Sequence, residues 1–409
     1  METLQPKLRF PEFKENWENR KLGQFTQWAS GGTPPKDNIN YWNGDIPWIS
    51  ASSMRGLEYT NSELKITKEG LIKGSKLAKK GDLLLLVRGS MLFNKIPIGI
   101  AGIDVSFNQD LKSISVDNKV SNSKYILHWF FYSEPKVLNM VTGTGIGAGK
   151  LDLTDLKDLN INLPSLEEQT KIANFLSSID ERIDLLKEKK SLLEDYKKGL
   201  MQKIFNQEIR FKDDNGNDFD DWEIKTLGEV ADFFKGKGLP KNHIKDDGSF
   251  KCIHYGELFT KYNELIKNVI SKTDIYDKPF LSIANDVLMP TSDVTPNGLA
   301  TASCILEDGV ILGGDVLIIR QKKKVLDGLF LSFYVAQFRE KVMKLVSGST
   351  VYHLYGSDMK NLEIFIPCLK EQNKISTFLS AIDEKIELVS NQIQDTQDYK
   401  KGLLQQMFV

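Results

Sequence analysis

Apolar residues recur at alternating steps of four and three along two stretches of the chain. In the first they are Ile172, Leu176, Ile179, Ile183, Leu186, Leu193, Leu200 and Ile204. In the second they are Ile375, Leu379, Ile382, Ile386, Val389, Ile393, Leu403 and Met407. The mean step of about 3.5 is the heptad period, which keeps an apolar stripe facing a partner helix. Lys190, Lys197, Thr396 and Lys400 fall in the same registers and interrupt the stripes. Pro164 and Pro367 stand just before the stretches, where a helix tolerates a residue without an N–H. Each stretch therefore predicts one long helix, and about 39 residues at roughly 1.5 Å each give a rod about 58 Å long.

Outside the rods the pattern shortens. Asp45–Ser50, Asp82–Arg88 and Leu111–Val116 read as strands in the first half, as do Asp286–Met289, Thr301–Leu306 and Asp315–Arg320 in the second. Tyr125–Met140 and Leu329–Val346 read as helices, rich in aromatic and aliphatic residues. His128, beside Trp129 on the first of these, reads as a packed histidine rather than a ligand.

The two rods are copies of one another. Residues 164–205 and 367–408 align without a gap at an offset of 203, with 22 identities in 42 positions. Upstream the repeat is looser: Trp17-Glu18 and Leu22-Gly23 match Trp222-Glu223 and Leu227-Gly228. The order is globule, rod, globule, rod, with divisions at residues 1–163, 164–205, 206–366 and 367–409. One heptad helix alone would leave its stripe wet, whereas two in one chain can pair. The predicted fold is α+β: two mixed α/β globules joined by two long antiparallel coiled-coil helices, with a pseudo-two-fold internal repeat. The seam residues are the heptad residues named above from Ile172 to Leu200 and from Ile375 to Leu403.

Composition adds a constraint. The chain is 41% hydrophobic and 27% charged with a net charge of −1, which excludes a uniformly basic nucleic-acid binder. The charge is uneven, however. Residues 21–160 hold 17 Lys/Arg against 13 Asp/Glu (+4), and residues 206–225 hold 3 against 7 (−4). No apolar run is long enough for a membrane span. The polar stretch Met1–Phe10 does not read as a secretory signal. Cys252, Cys304 and Cys368 are too far apart for a ligand pair and read as reduced thiols of a cytoplasmic protein.

Candidate chemistry centres on Gly143–Lys150, GTGIGAGK. A phosphate-binding Walker loop needs a glycine five residues before the Gly-Lys pair and a hydroxyl after it. Thr144 and Leu151 occupy those positions, so both requirements fail. The repeat supplies a second argument, because the equivalent run Val346–His353 has one glycine and no lysine. What persists is a small, polar, bendable loop just before each rod. His128, His243, His254 and His353 are too scattered for a paired-histidine metal site, and Asp213-Asp214 and Asp220-Asp221 read as solvated turns. No metal site and no catalytic set emerge.

The duplicated Glu-Gln-x-Lys-Ile-x-x-Phe-Leu-Ser-x-Ile-Asp and Tyr-Lys-Lys-Gly-Leu of the rods resemble the specificity (S) subunit of type I restriction–modification systems. So do Trp17-Glu18, Ser30-Gly31-Gly32-Thr33-Pro34, Tyr41–Trp48 and Phe107-Asn108-Gln109-Asp110. The resemblance covers essentially the whole chain. It implies two target-recognition domains, each reading one half of a bipartite double-stranded DNA site, with the rods fixing the spacer between them. It also implies partners: two methyltransferase (M) subunits that methylate adenine, and restriction (R) subunits that add an ATP-dependent nuclease. S-adenosylmethionine, ATP and Mg belong to those partners, so no cofactor is expected on this chain, and no membrane. The second domain has Lys235-Gly236-Lys237-Gly238 and Gly313-Gly314-Asp315 where the first has the family forms, which implies a different target. Two other readings stand beside this one. One is a coiled-coil adapter tethering two binding domains. The other is a self-contained DNA methyltransferase or nuclease, which the missing catalytic motifs disfavour.

Phosphate and base contacts draw on Lys, Arg, hydroxyls and amides. In the first domain the candidates are Thr33, Lys36, Lys73, Lys76, Arg88, Ser90, Asn94, Lys95, Thr144 and Lys150. In the second they are Lys235, Lys237, Lys241, Asn242, His254, Tyr255, Ser292, Thr295, Ser349, Thr350, Tyr352 and His353.

Overall fold

In the computed structural model, which describes residues 5–145, 147–275, 277–322 and 324–409, each rod is one uninterrupted helix. The rods span Leu166–Phe205 and Leu369–Met407. By packing the chain divides into two units: residues 1–187 with 391–409, and residues 188–390. Each unit takes one globule, the leading half of one rod and the trailing half of the other, which is the antiparallel exchange that the duplicated heptads predict. Among the described residues no helix is long and apolar enough to cross a membrane.

The globules share a topology that their sequences barely share. In the first, a five-stranded sheet runs Thr26–Ser30, Leu111–Val116, Leu83–Leu86, Ile98–Ala101, Glu58–Tyr59. In the second, the order is Ala231–Lys235, Val316–Gln321, Asp286–Pro290, Ser303–Ile305, Leu265–Ile266. In both, every pairing is antiparallel except that of the last strand, which is parallel. Fully buried runs such as Leu83–Leu86 form the sheet centres. A four-stranded sheet packs beside each. Gly31 and Gly236 hold the same place between the sheets: a Cβ would lie 2.2 Å from Phe107 O at the first and 2.0 Å from Gly313 O at the second. No larger residue fits there.

Each globule closes where its first strand meets its last, Glu18–Lys21 with Asn160–Leu163 and Glu223–Thr226 with Glu363–Ile366. The chain then enters the rod through a duplicated polar joint. Arg9 grips Glu168 through Nε and Nη2 at 2.7 and 2.8 Å, and Arg210 grips Glu371 in the same way at 3.2 and 2.8 Å. Both carboxylates are buried, so the bidentate partner offsets their desolvation. Gln169 donates to the carbonyls of Pro164 and Val120, and Gln372 to those of Pro367 and Val325. The repeated Glu-Gln is thus the bolt between globule and rod.

The seam residues take two roles. Ile172, Leu176, Ile179 and Ile183 lie in the first unit's core, together with Leu403, Leu404, Met407 and Phe408 of the second rod. Ile375, Leu379 and Ile382 lie in the second unit's core with Met201, Ile204 and Phe205. The leading turns of each rod therefore complete a globular core as well as a helix pair. Leu186, Leu193, Leu200, Ile386 and Ile393 are half-buried, and Val389 is buried. The interrupting lysines pair instead of packing: Lys400 reaches Asp180 and Lys197 reaches Asp383 at 2.7 Å. These are the same bond written once in each unit, because each lysine and each aspartate is the other's copy.

Two local expectations need correction. Leu329–Val346 is not one helix but two, Gly328–Gln337 and Arg339–Met343, broken at Phe338. Phe338 packs against Tyr334 and Phe205, with ring centroids 4.6 and 6.2 Å away, and adopts φ −108° and ψ 36° there. The aromatic cluster holds the ring where the helix cannot continue. The glycine run is the second case, and it belongs to the site.

Candidate nucleic-acid interface

Gly143–Lys150 is the tip and return strand of a β-hairpin, not a bendable loop; Ile146 within it lies outside the described residues. Thr142–Gly143 pairs with Gly149–Lys150, which in turn pairs with Arg88–Gly89. Thr144 shapes the tip by bonding Ala148 O through both its N–H (2.7 Å) and its hydroxyl (2.9 Å). A Cβ on Gly149 would meet Val141 Cγ1 at 2.8 Å and Leu92 Cβ at 3.0 Å, so this glycine serves close packing. A Cβ on Gly145 would meet nothing within 4 Å. The backbone thus makes a hairpin where a phosphate loop would need a strand-to-helix turn. In the second unit Ser347–Gly348 pairs with Tyr352–His353, which pairs with Ser292–Asp293.

The hairpin gathers several of the first unit's candidates. Lys150 is the direct cross-strand partner of Arg88. Ser90 starts the short turn Ser90–Phe93, and Asn94 and Lys95 follow it. A chain of bonds carries the surface on: Leu151 N donates to Val87 O at 2.9 Å, and Val87 N to Asp110 O at 2.9 Å. The neighbouring Gln109 accepts from the Thr33 hydroxyl at 2.6 Å. A Cβ on Gly74 would lie 2.5 Å from Pro34 Cα, so the loop bearing Thr33 and Lys36 lies against the segment bearing Lys73 and Lys76. Lys36, Lys73, Lys76, Arg88, Ser90, Asn94, Lys95 and Lys150 are all exposed. Gln109, exposed at the centre of this chain of bonds, is not among the candidates by residue type; its place inside Asn-Gln-Asp is the signal the sequence offers.

The second unit arranges different side chains on the same frame. Ser292 is the cross-strand partner of His353, and both line a groove of about 490 Å³ with Lys235, Asp315, Tyr355 and Lys360. The imidazole of His353 stacks on Tyr355 with centroids 6.1 Å apart. Ser349 and Thr350 are at the hairpin tip and Tyr352 on its return strand. Tyr355, opposite Asp152 in the repeat, and Lys360, the copy of Lys157, are not among the candidates that the sequence supplies. Lys235 lies 3.4 Å from Asp315, and Lys237 donates to Lys278 O at 3.2 Å. Lys241 and Asn242 are exposed on a short turn. Two candidates have internal work. Thr295 caps the helix Pro296–Leu299 by accepting from Gly298 N, and its hydroxyl donates to Asp293 at 2.9 Å. His254 accepts from Gly256 N through Nδ1 and packs on Tyr255 at 4.4 Å. Burial holds its imidazole below the ordinary range, with Lys241 adding to the effect and Glu257 opposing it.

Two globules of one topology, each bolted to paired rods and each presenting a hairpin of its own chemistry, define a class of duplicated, two-headed recognition subunit. The chain belongs to the family of the type I restriction modification DNA specificity domain, whose profile matches it twice, over residues 14–195 and 219–396. It is thereby a specificity subunit with two target-recognition domains. Among curated proteins it is similar to the putative type I restriction enzyme MjaX specificity subunit of Methanocaldococcus jannaschii. The two are 24% identical over 417 residues, covering 97% of this chain and 94% of that one. The MjaVIII specificity subunit of the same organism is 25% identical, with coverage of 97% and 92%. The EcoR124I/EcoR124II specificity subunit of Escherichia coli is 31% identical over 175 residues, 42% of this chain and 43% of its own. In fold the chain is similar to the crystal structure of the type I restriction–modification S subunit from M. genitalium. The TM-score is 0.61 at 16% identity, over 99% of both chains.

Proposed function

We propose that this chain reads a bipartite DNA site on behalf of a type I restriction–modification complex, performing no chemistry itself. The observation that carries the reading is the pair of equivalent hairpins: one fold, repeated, holding Arg88 opposite Lys150 in one copy and Ser292 opposite His353 in the other. A repeated scaffold with exchanged tip chemistry is what reading two different half-sites requires. The candidate contacts named from the sequence are proposed to line those two faces. Two methyltransferase subunits and the restriction subunits are its proposed protein partners, and the cytoplasm its compartment. S-adenosylmethionine, ATP and Mg serve those partners. The rods support a duplicated docking site. Two pairs of exposed rod residues are copies of each other: Leu185 and Leu388, and Tyr196 and Tyr399, each 56–60% exposed, whereas the exposed Leu192 has no apolar counterpart. Identical exposed residues in both halves fit two copies of one partner.

Coexpressing the chain with its methyltransferase subunit and mapping methylated adenines across a genome tests the reading. One bipartite motif is the expected result. Methylation without a motif, or none with a competent partner, favours the protein adapter instead.

A further inference from the structure

Phe93 ends the short turn Ser90–Phe93 and is 52% exposed. Its surroundings are cationic. Arg88 and Lys150 face each other across two paired strands, and Lys95 lies two residues beyond the ring. All three are exposed, and none has an ion pair among the described residues. Asp152 feels the charge of Lys150, but its carboxylate is already engaged by the N–H of Thr154 at 2.8 Å. Like charges set directly opposite on neighbouring strands repel, so an anion placed over them relieves the repulsion.

The turn beneath Phe93 is firmly built. Leu92 is fully buried. Asn94 N and Lys95 N both donate to Met91 O, at 3.0 and 3.1 Å, and Ile96 N donates to the Glu134 carboxylate at 2.8 Å. The ring is therefore presented on a rigid base and held open to water. In the second unit Val294, directly after the strand Ser292–Asp293, is also an exposed apolar residue, at 71%. An exposed apolar group framed by free cations matches a surface where apolar rings lie between anions, which is the surface of stacked bases between phosphates.

We infer that Phe93 is the apolar base contact of the first unit, packing on the bases of its half-site while Arg88 and Lys150 hold the flanking phosphates. The inference rests on the DNA-reading proposal above and adds to it a residue that sequence motifs did not point to.

The test uses the complex of the full chain with its methyltransferase partner, on a duplex carrying the mapped motif, with Kd measured over a salt series. Phe93→Ala is expected to weaken binding roughly tenfold with an unchanged salt slope, because an apolar contact displaces no counterions. Lys150→Ala and Arg88→Ala are each expected to lower the log–log slope by about one. Phe93→Trp keeps a ring and should stay within about threefold of the wild type. Because Phe93 is exposed, the melting temperatures of its variants should match the wild type. Wild-type affinity in Phe93→Ala overturns the assignment, as does a slope change equal to that of Lys150→Ala. A wild-type complex with no motif overturns the underlying reading and this inference with it.

Discussion

His128 shows how a single residue can differ between two copies of one fold. It is buried in the first unit, with Nε2 3.2 Å from the Ser177 hydroxyl and Nδ1 3.9 Å from Asp180. The equivalent position in the second unit, six residues past the cap Asp327 as His128 is six past Asn122, is Phe333, also buried. The sequence already favoured a packed histidine over a ligand, and the structure agrees. Burial, helped by the charge of Lys400, pushes the imidazole pKa down to about 3. The unfolded chain, with an ordinary histidine near 6.5, binds this proton before the folded chain does. Stability from this site is therefore present above pH 6.5 and is lost as pH falls toward 3. Asp180, whose carboxyl is pushed up by burial, works in the opposite sense at the acid end. Urea unfolding at pH 7 and pH 5.5 checks the balance. The wild type should lose about 1 kcal/mol more between the two than His128→Leu does. Equal losses would show that the imidazole is protonated as easily inside as outside.

At the scale of elements, legibility followed periodicity. The rods were read to within a residue or two because some forty residues keep one period, and Leu111–Val116 matched its strand because turns bound it. The break at Phe338 was hidden: the segment is apolar nearly all round, so its pattern marks no boundary. The hairpin was hidden for another reason. Its strands are two residues long, and glycine and threonine carry no amphipathic period. The repeat disposed of the nucleotide loop but gave no positive shape. The hairpin now makes a prediction opposite to that of a phosphate loop. Gly149→Ala forces a Cβ against Val141 and Leu92 and should cost about 1–3 kcal/mol, with weaker DNA binding by the first unit. Gly145→Ala meets open space and should leave stability and binding unchanged. Thermal unfolding and Kd for both variants decide between the shapes, since a phosphate cradle would be damaged by either change.

For the molecule as a whole, the sequence displayed the duplication and the rods but could name contact residues only by type. Which lysines share a face depends on pairings between segments far apart in sequence, such as Arg88 with Lys150, and these carry no pattern along the chain. The structure also gives both domains the same polar joint to their rods. Beside the apolar packing of the rod's leading turns, the polar part of that joint is one short set, in which Arg9, Glu168, Gln169 and the backbone of Val120 and Asn122 have counterparts in Arg210, Glu371, Gln372 and the backbone of Val325 and Asp327. Replacing residues 1–163 by the first recognition domain of another family member should therefore succeed where the incoming domain keeps the arginine of that joint. Mapping methylated adenines should then show one half of the motif changed and the other intact. The same chimaera with Arg9→Met leaves the Glu168 carboxylate buried without its partner, and it should unfold about 3 kcal/mol more easily. If both halves of the motif change on exchange, the two hairpins do not read separately. If Arg9→Met costs nothing, the bolt is elsewhere, and the duplicated Glu-Gln is kept for a partner's sake rather than for the joint.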